Sequence, residues 1–575
     1  MARSKVRLYT CCALSLLCAV AVIASVAVLV RRKCPSDAFP RAGVAADSAR
    51  CSRIGRDILQ SGGSAVDGAI AALLCTSLVN PQSMGLGGGA IFTVMNSSGH
   101  VRVINAREAA PRNLKPHLLD LCPKKFRMLR GSDWMAVPGE LQAYEEAHRL
   151  FGRLPWATLF QPTITLARDG LPVAEVLGRY LSSFNWTGYA PLRKLFSDKD
   201  GNLLKTGDIV KFQKLADTLE TIAQDGAAAF YRGTIAKDLI RDIQEAGGTL
   251  TAEDLAAYRA VVTDAWSIPL GEFNMYFPPP PAGGAVVAFA INILKGFEPN
   301  LKDLKDHQRA LTYHRYAEAL KFANSLKKYI RDPKFSPDDV ELKVLEDSFS
   351  DHVRSLIRSD VTHDPQYYNI TPYVDGVGTT QVSVLAEDGS AVSATSSINH
   401  IFGSGVFSPR TGIILNNQLG DFCGLAGNIS PGKTGFHCVV FNNRFGEFPF
   451  LLFSGERPPS SMAPSVLKSP SKTLLIGSTG GTMITTGMVS ALVNHLWLGK
   501  SLKDAIAAPV LFVDSKTALT FEPTFDKGII EALEALGHQR GSPRTFYNVV
   551  NAVEKVDDCI WAVSDARKQG EAAGF

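Results

Sequence analysis

The chain has 575 residues, 46% of them hydrophobic and 20% charged, which is ordinary globular composition and excludes an intrinsically disordered chain. Its length allows one large or several ordinary domains. A formal net charge of +5, with much of the positive excess near the N-terminus, is too weak to read as a nucleic-acid surface.

The first predicted element is an uncharged, mostly apolar run from Leu8 to Val30, bracketed by Arg3, Lys5 and Arg7 before it and Arg31, Arg32 and Lys33 after it. About 20 helical residues cross a hydrocarbon core of ~30 Å, so this run predicts one N-terminal transmembrane helix. Its length favours a retained signal-anchor over a cleaved signal peptide. Three basic residues on each side leave orientation undecided. Four acceptor sequons downstream, at Asn96, Asn185, Asn369 and Asn428, place the body outside the cytosol, although Pro431 weakens the last. The expectation is a type II protein of the cell membrane. Residues 1–7 are then cytoplasmic, 8–30 the anchor, and 31–50 a short stem containing Pro35 and Pro40.

Two helices follow: "CSRIGRDILQ", stopped at Gly62-Gly63, and "AVDGAIAALLCTSLV", which Ser64 can cap. Cys51 and Cys75 bracket this pair and can form a disulfide in an oxidising compartment. No CxxC spacing or Cys/His cluster points to a metal. "GLGGGA" at residues 85–90 resembles a dinucleotide fingerprint only superficially, because the strand and helix around it come in the wrong order. "AIFTVMNSSGHVRVINAR" reads as a hairpin, and residues 110–370 as mainly helical. "TAEDLAAYRA" has a capping Thr251. "FPPPPAGG" cannot be helix interior. Beyond residue 378 strands dominate: "TTQVSVLAEDG", "AVSATSSIN", "GIILNN", then "TLLIGSTGG" running into a helix. Helices and hairpins without strict βαβ alternation predict an α+β fold.

The junction at Gly378-Thr379 carries the chemistry. A hydroxyl on the first residue of a strand can attack the preceding carbonyl, and glycine leaves that carbonyl accessible. Ester formation and hydrolysis would make Thr379 a new N-terminus, with an α-amine of reference pKa about 7.7–8.0. That amine can then act as general base for the same residue's hydroxyl. Taken alone, a Gly-Thr pair before a strand is more often a simple turn. Likewise "GSTGG" before a helix offers N–H groups to an anion, yet is more often only a turn.

The segments "GTTQVSVLAEDGSAVSATSSIN", "INARE", "NPQSMGLGGG", "PPPPAGGA", "SPRTGIILNNQLGDF", "RPPSSMAPS", "IGSTGGTMI" and "SDARKQGEAAGF" together closely resemble the γ-glutamyltransferase (γ-glutamyltranspeptidase) family, in consistent order from about Cys34 to the C-terminus. "NPQSMG" and "FSPRTGIILNN" lean toward its membrane-anchored, leukotriene-cleaving members. The resemblance implies an N-terminal-nucleophile hydrolase with αββα layers, made as a proenzyme that cuts itself. Residues 51–378 would then form the large chain and 379–575 the small catalytic chain of a heterodimer. It implies that Thr379 is scissile-bond attacker and then nucleophile, with Ser397 as supporting hydroxyl and Gly480 and Gly481 as oxyanion N–H donors. It further implies that Arg107, Ser460 and Ser461 hold the substrate α-carboxylate, and that Asn399, Gln418 and Asp421 surround the α-amino group. No cofactor is implied.

Three residues depart from the pattern. Gln381 stands where many members have histidine, Ser397 where many have threonine, and Gln418 where several mammalian members have glutamate. The activity implied is γ-glutamyl transfer or hydrolysis on glutathione and its conjugates, including the leukotriene conjugate, with water, an amino acid or a dipeptide as acceptor. The competing reading is an impaired proenzyme serving as a type II binding or receptor ectodomain. An intact substrate ring around a Gly-Thr junction separates the two.

Overall fold

The computed structural model describes residues 34–123, 128–297, 306–336, 345–370, 378–426, 452–542 and 549–575. The expected anchor at residues 8–30 lies outside them. Among the described residues, no helix is long and apolar enough to cross a membrane.

Thirteen strands build two antiparallel sheets. In chain order they are β1 (Gly43–Ala45), β2 (Gly89–Met95), β3 (Val101–Ala106), β4 (Val261–Asp264), β5 (Trp266–Leu270), β6 (Phe273–Phe277), β7 (Thr380–Leu385), β8 (Ala391–Ser397), β9 (Ser465–Lys468), β10 (Lys472–Ser478), β11 (Val550–Val556), β12 (Cys559–Val563) and β13 (Ala573–Gly574). The first sheet runs β13-β1-β7-β8-β2-β3-β4 and the second β12-β11-β10-β9-β6-β5. Helices α1 (Ala49–Gln60) and α2 (Ala65–Val79) lie with the first sheet, α2 packing on β7 and β8. Helix α3 (Gly284–Lys295) and α4 (Met483–Leu492) lie with the second, α4 packing on β10. The layers are therefore helix, sheet, sheet, helix, with one apolar core on each outer face.

The strand sequences explain why two sheets meet. Along β7 and β8, Val382, Val384, Val392 and Ala394 join the helix-side core, while the alternate residues turn to the second sheet. Near the β7–β8 turn that inner seam is apolar, with Leu385 and Ala391 against Val466, Leu475 and Val553. Toward the heads of the strands it becomes a ladder of hydroxyls. Ser383 donates to the Asn551 carbonyl and Ser393 to the Ile476 carbonyl, both at 3.0 Å. Gln381 ties the ladder together: its amide donates to Ser383 and Ser393 and its carbonyl accepts from Thr395 at 2.6 Å. A Cβ on Gly477 would sit 2.2 Å from this side chain, so glycine there makes room for it.

One expectation is corrected. Residues 31–50 are not simply a stem, because Gly43–Ala45 pairs with β7 on one side and β13 on the other, and α1 already begins at Ala49. The middle of the chain is mainly helical as expected, and within it Val261–Phe277 supplies an edge to each sheet through three short strands whose polar faces masked their period. The other elements agree. Ser64 and Thr251 each cap their helix in a reciprocal box with Asp67 and Asp254.

Cys51 and Cys75 form a disulfide between α1 and α2. Two further disulfides, Cys34–Cys559 and Cys122–Cys423, have no counterpart in the sequence reading. Their partners are 525 and 301 residues apart, and no local spacing signals them.

Candidate active site

Thr379 sits at the head of β7, buried, and its neighbour Thr380 points the other way. Thr380 Oγ1 donates to the Asp47 carboxylate, whereas Thr379 Oγ1 lies 3.2 Å from Ser397 Oγ at the end of the paired strand β8. The two threonines thus have different tasks, one structural and one facing a cavity. Gly378 and Thr379 have φ of +142° and +113°. The second value is an outlier for a β-branched residue, and strain of this kind costs roughly 1–3 kcal/mol. A Cβ on Gly378 would also fall 2.2 Å from the Asn399 carbonyl oxygen. Only glycine fits there.

The backbone of Thr379 is held at both ends. Its N–H donates to the Ser83 carbonyl at 3.2 Å, and its carbonyl accepts from Lys568 Nζ at 2.6 Å. Lys568 also reaches Asp47 at 2.8 Å, and Asn551 donates to the same carboxylate at 2.7 Å. These positioning residues went unseen in the sequence, although Ser83 and Lys568 lie within the quoted motifs "NPQSMG" and "SDARKQG". Nothing local in "AADSAR" distinguishes Asp47 from a surface aspartate.

A cavity of about 1000 Å³ of open space reaches from Thr379 and Ser397 to Arg107 and Asp421. Asn399, Gln418, Ser460, Ser461 and Gly481 line it as well. Gly480 belongs to the same turn but not to the lining. That turn follows β10, with φ of +105° and +59° at Gly480 and Gly481, and leads into α4.

Arg107, 1% exposed, directly follows β3. Its guanidinium donates to the carbonyls of Pro458 and Pro459 and to Asp421, whose side chain is 26% exposed. Gln418 donates to the same aspartate oxygen at 2.8 Å. The Gln418 carbonyl oxygen is buried and has no hydrogen-bond partner, so a donor is wanted at that point. Asn399 has φ +73°, and its N–H donates to Ser397 Oγ at 2.9 Å. Ser397 therefore links Thr379 to the turn that carries Asn399.

The supports of this ring explain its motifs. Asn416 and Asn417 stitch the Gln418–Asp421 turn to the segments at Gly87, Leu129 and Ala136. Gly87 and Gly88 bring their chain within contact of the carbonyls of Ile414 and Ser397, where a Cβ would lie 2.1 and 2.2 Å away. "GLGGGA" is a close-packing device. Arg331 clamps Glu456 and thereby the Pro458–Ser461 run. His400 accepts from the Leu129 N–H at 3.1 Å, and burial holds it down to about 4, so it is neutral.

Glu108 lies 3.7 Å from Arg107 but is wholly buried, and neither carboxyl oxygen has a hydrogen-bond partner. Burial pushes its carboxyl up to about 7, against the pull of Arg107. Glu140, bonded to Tyr144 and Ser396, is pushed up to about 8, also by burial. Such burial excludes a solvated surface role for Glu108.

Asn96, in the β2–β3 turn, is partly exposed, and Asn185 and Asn369 are exposed; Asn428 lies outside the described residues.

Two antiparallel sheets between helices, with a hydroxyl residue heading a central strand, define the class: an αββα hydrolase of the N-terminal-nucleophile type. The comparisons narrow it. The model of the gamma-glutamyltranspeptidase family matches residues 51–575, and the chain belongs to that family. It is 44% identical to the glutathione hydrolase 5 proenzymes of Homo sapiens and Rattus norvegicus, over 94% and 97% of this chain and 94% and 96% of theirs. Among solved structures it is similar to a cephalosporin acylase from Bacillus halodurans, at 26% identity and a TM-score of 0.80, over 94% of this chain and 97% of that one.

Proposed function

We propose that the protein is a self-processing γ-glutamyltransferase and glutathione hydrolase. The observation that carries this is the Thr379–Ser397 hydroxyl pair opening onto a cavity that ends in the Arg107–Asp421 ion pair. A γ-glutamyl donor bears a carboxylate and an ammonium on one carbon, so it can take the place of each partner opposite the other. Arg107 then holds the carboxylate, with Ser460 and Ser461, and Asp421 the ammonium, with Gln418 and Asn399. The unsatisfied Gln418 oxygen supplies the acceptor that an ammonium requires.

In the precursor, Thr379 Oγ attacks the Gly378 carbonyl. The C–N bond breaks as an ester forms, and water cleaves the ester to free the Thr379 amine. Relief of the positive φ favours this step. The Ser83 carbonyl and Lys568 keep the new terminus in place. In turnover, the amine takes the proton from Oγ, which attacks the donor's γ-carbonyl. The Gly480 and Gly481 N–H groups receive the oxyanion, and the leaving amine takes the proton back. Water, an amino acid or a dipeptide then takes the γ-glutamyl group from Thr379. Glutathione and its conjugates are the donors we assign, following the 44% identical glutathione hydrolase 5 proenzymes, and the leukotriene conjugate is added on the motifs "NPQSMG" and "FSPRTGIILNN" alone. The anchor at residues 8–30, an extracellular body and glycans on Asn96, Asn185, Asn369 and Asn428 belong to the same reading. So do the two processed chains, remaining together as a heterodimer.

The test is release of chromophore from a γ-glutamyl amide by detergent-solubilised full-length protein. The parent should turn over, and Thr379→Ala should stay uncut and inactive. Turnover by Thr379→Ala would overturn the assignment.

A further inference from the structure

The cut proposed between Gly378 and Thr379 gives the two unforeseen disulfides a meaning that Cys51–Cys75 lacks. Cys34 and Cys122 precede the cut, and Cys559 and Cys423 follow it. Cys51–Cys75 lies wholly before it. We propose that the processed large and small chains remain covalently joined at two points, and that the Cys122–Cys423 bridge also positions the substrate-binding turn. This inference rests on the processing reading above.

The positioning role follows from where Cys423 stands. It directly follows the single turn Gln418–Phe422 that carries both Gln418 and Asp421. The next residues, Gly424 and Leu425, line the same cavity. On its outer side this turn leans on a small apolar cluster in which Leu419, Phe422 and Leu425 meet Leu118, Leu129 and Trp134 of the large chain. The apolar residues of the turn belong to this cluster and not to either main core. The bridge to Cys122 is a covalent tether between the turn and the large chain two residues beyond the substrate aspartate. Arg107, the other half of the charge pair, also belongs to the large chain. Charge recognition therefore depends on holding a small-chain turn in register with a large-chain strand, and Cys122–Cys423 fixes that distance. The second bridge does something else. Cys34 begins the described chain and Cys559 begins β12, at the sheet edge remote from Arg107. It ties the segment that leads to the proposed anchor directly to the catalytic chain.

The first experiment needs no variant. Processed protein is denatured in detergent and run with and without dithiothreitol, free thiols being blocked beforehand. Two bands should appear only after reduction. A single band in both lanes means that no processing occurred and contradicts the proposed function; two bands in both lanes leave processing intact and overturn the covalent link. Variants then separate the bridges. Without reductant, the Cys34→Ser/Cys559→Ser and Cys122→Ser/Cys423→Ser pairs should each still run as one band, and the fourfold variant as two. For kinetics, Cys122→Ser/Cys423→Ser should raise KM for a γ-glutamyl amide about tenfold, with kcat per titrated active site within about threefold. Cys34→Ser/Cys559→Ser should change neither. Equal effects of the two pairs on KM, or a loss confined to kcat, would overturn the positioning role.

Discussion

Arg107 and Asp421 form an ion pair that, in the proposed function, a γ-glutamyl donor exchanges rather than simply joins. Breaking one side strands the other, and buried pairs broken in this way cost roughly 3–5 kcal/mol, less where one partner is partly exposed as Asp421 is. Arg107 also has two fixed obligations, to the Pro458 and Pro459 carbonyls, which only a planar guanidinium can meet while facing a carboxylate. Arg107→Lys should therefore raise KM for any γ-glutamyl donor sharply, with self-cleavage little changed. Steady-state kinetics on purified, processed protein check this, and a kcat/KM within about threefold of the parent would place the carboxylate clamp elsewhere. Lys568 makes a different claim, because it touches the carbonyl of Thr379, the proposed nucleophile, and not the proposed substrate ring. Lys568→Met should slow self-cleavage and lower kcat about tenfold while KM stays near the parent value. Pulse-chase labelling of the uncut chain together with kcat gives the answer, and an unchanged processing rate would count against it.

At the scale of elements, the seam between the sheets and the buried carboxyls behind β8 govern how the site is held. Glu108 and Glu140 are pushed up to about 7 and 8 from an ordinary 4.5. The native state therefore binds more protons than the unfolded state between those limits, and stability falls as pH rises through that window. Their stabilising contribution is fully present below about 4.5 and lost above about 8. Glu140→Gln keeps the shape and can still bond Tyr144 and Ser396, so it should flatten the fall in Tm between about pH 5.5 and 8.5. An unchanged slope in a calorimetric series would show that Glu140 does not titrate in that range. The same seam shows what was readable beforehand. The hairpins and the capped helices were legible because period and cap chemistry are local signals, whereas the ring of site residues came only from the family resemblance that its motifs carry. Gln381 looked like a departure in the chemistry, yet the structure places it in the hydroxyl ladder, hydrogen-bonded to Ser383, Ser393 and Thr395. Asp47, the strand Gly43–Ala45 and the partners of Cys34 and Cys122 were not legible. Each acts on a residue hundreds of positions away, and no spacing in the chain encodes such a meeting.

For the molecule as a whole, the proposed cut falls inside an interlaced body. The first sheet takes β1 to β4 from before residue 378 and β7, β8 and β13 from after it; the second takes β5 and β6 from before and β9 to β12 from after. Hydrolysis of one peptide bond thus leaves a shared pair of sheets. The proposed large and small chains would therefore be products of processing and not folding domains. Everything proposed here, from the strained junction to the charge pair, converges on Thr379 becoming an N-terminus. N-terminal sequencing of the smaller species from reduced, freshly purified full-length protein tests that most directly. A single start, Thr-Thr-Gln, at residue 379 is expected. A start at Thr380, or an intact chain that still hydrolyses γ-glutamyl amides, would contradict it.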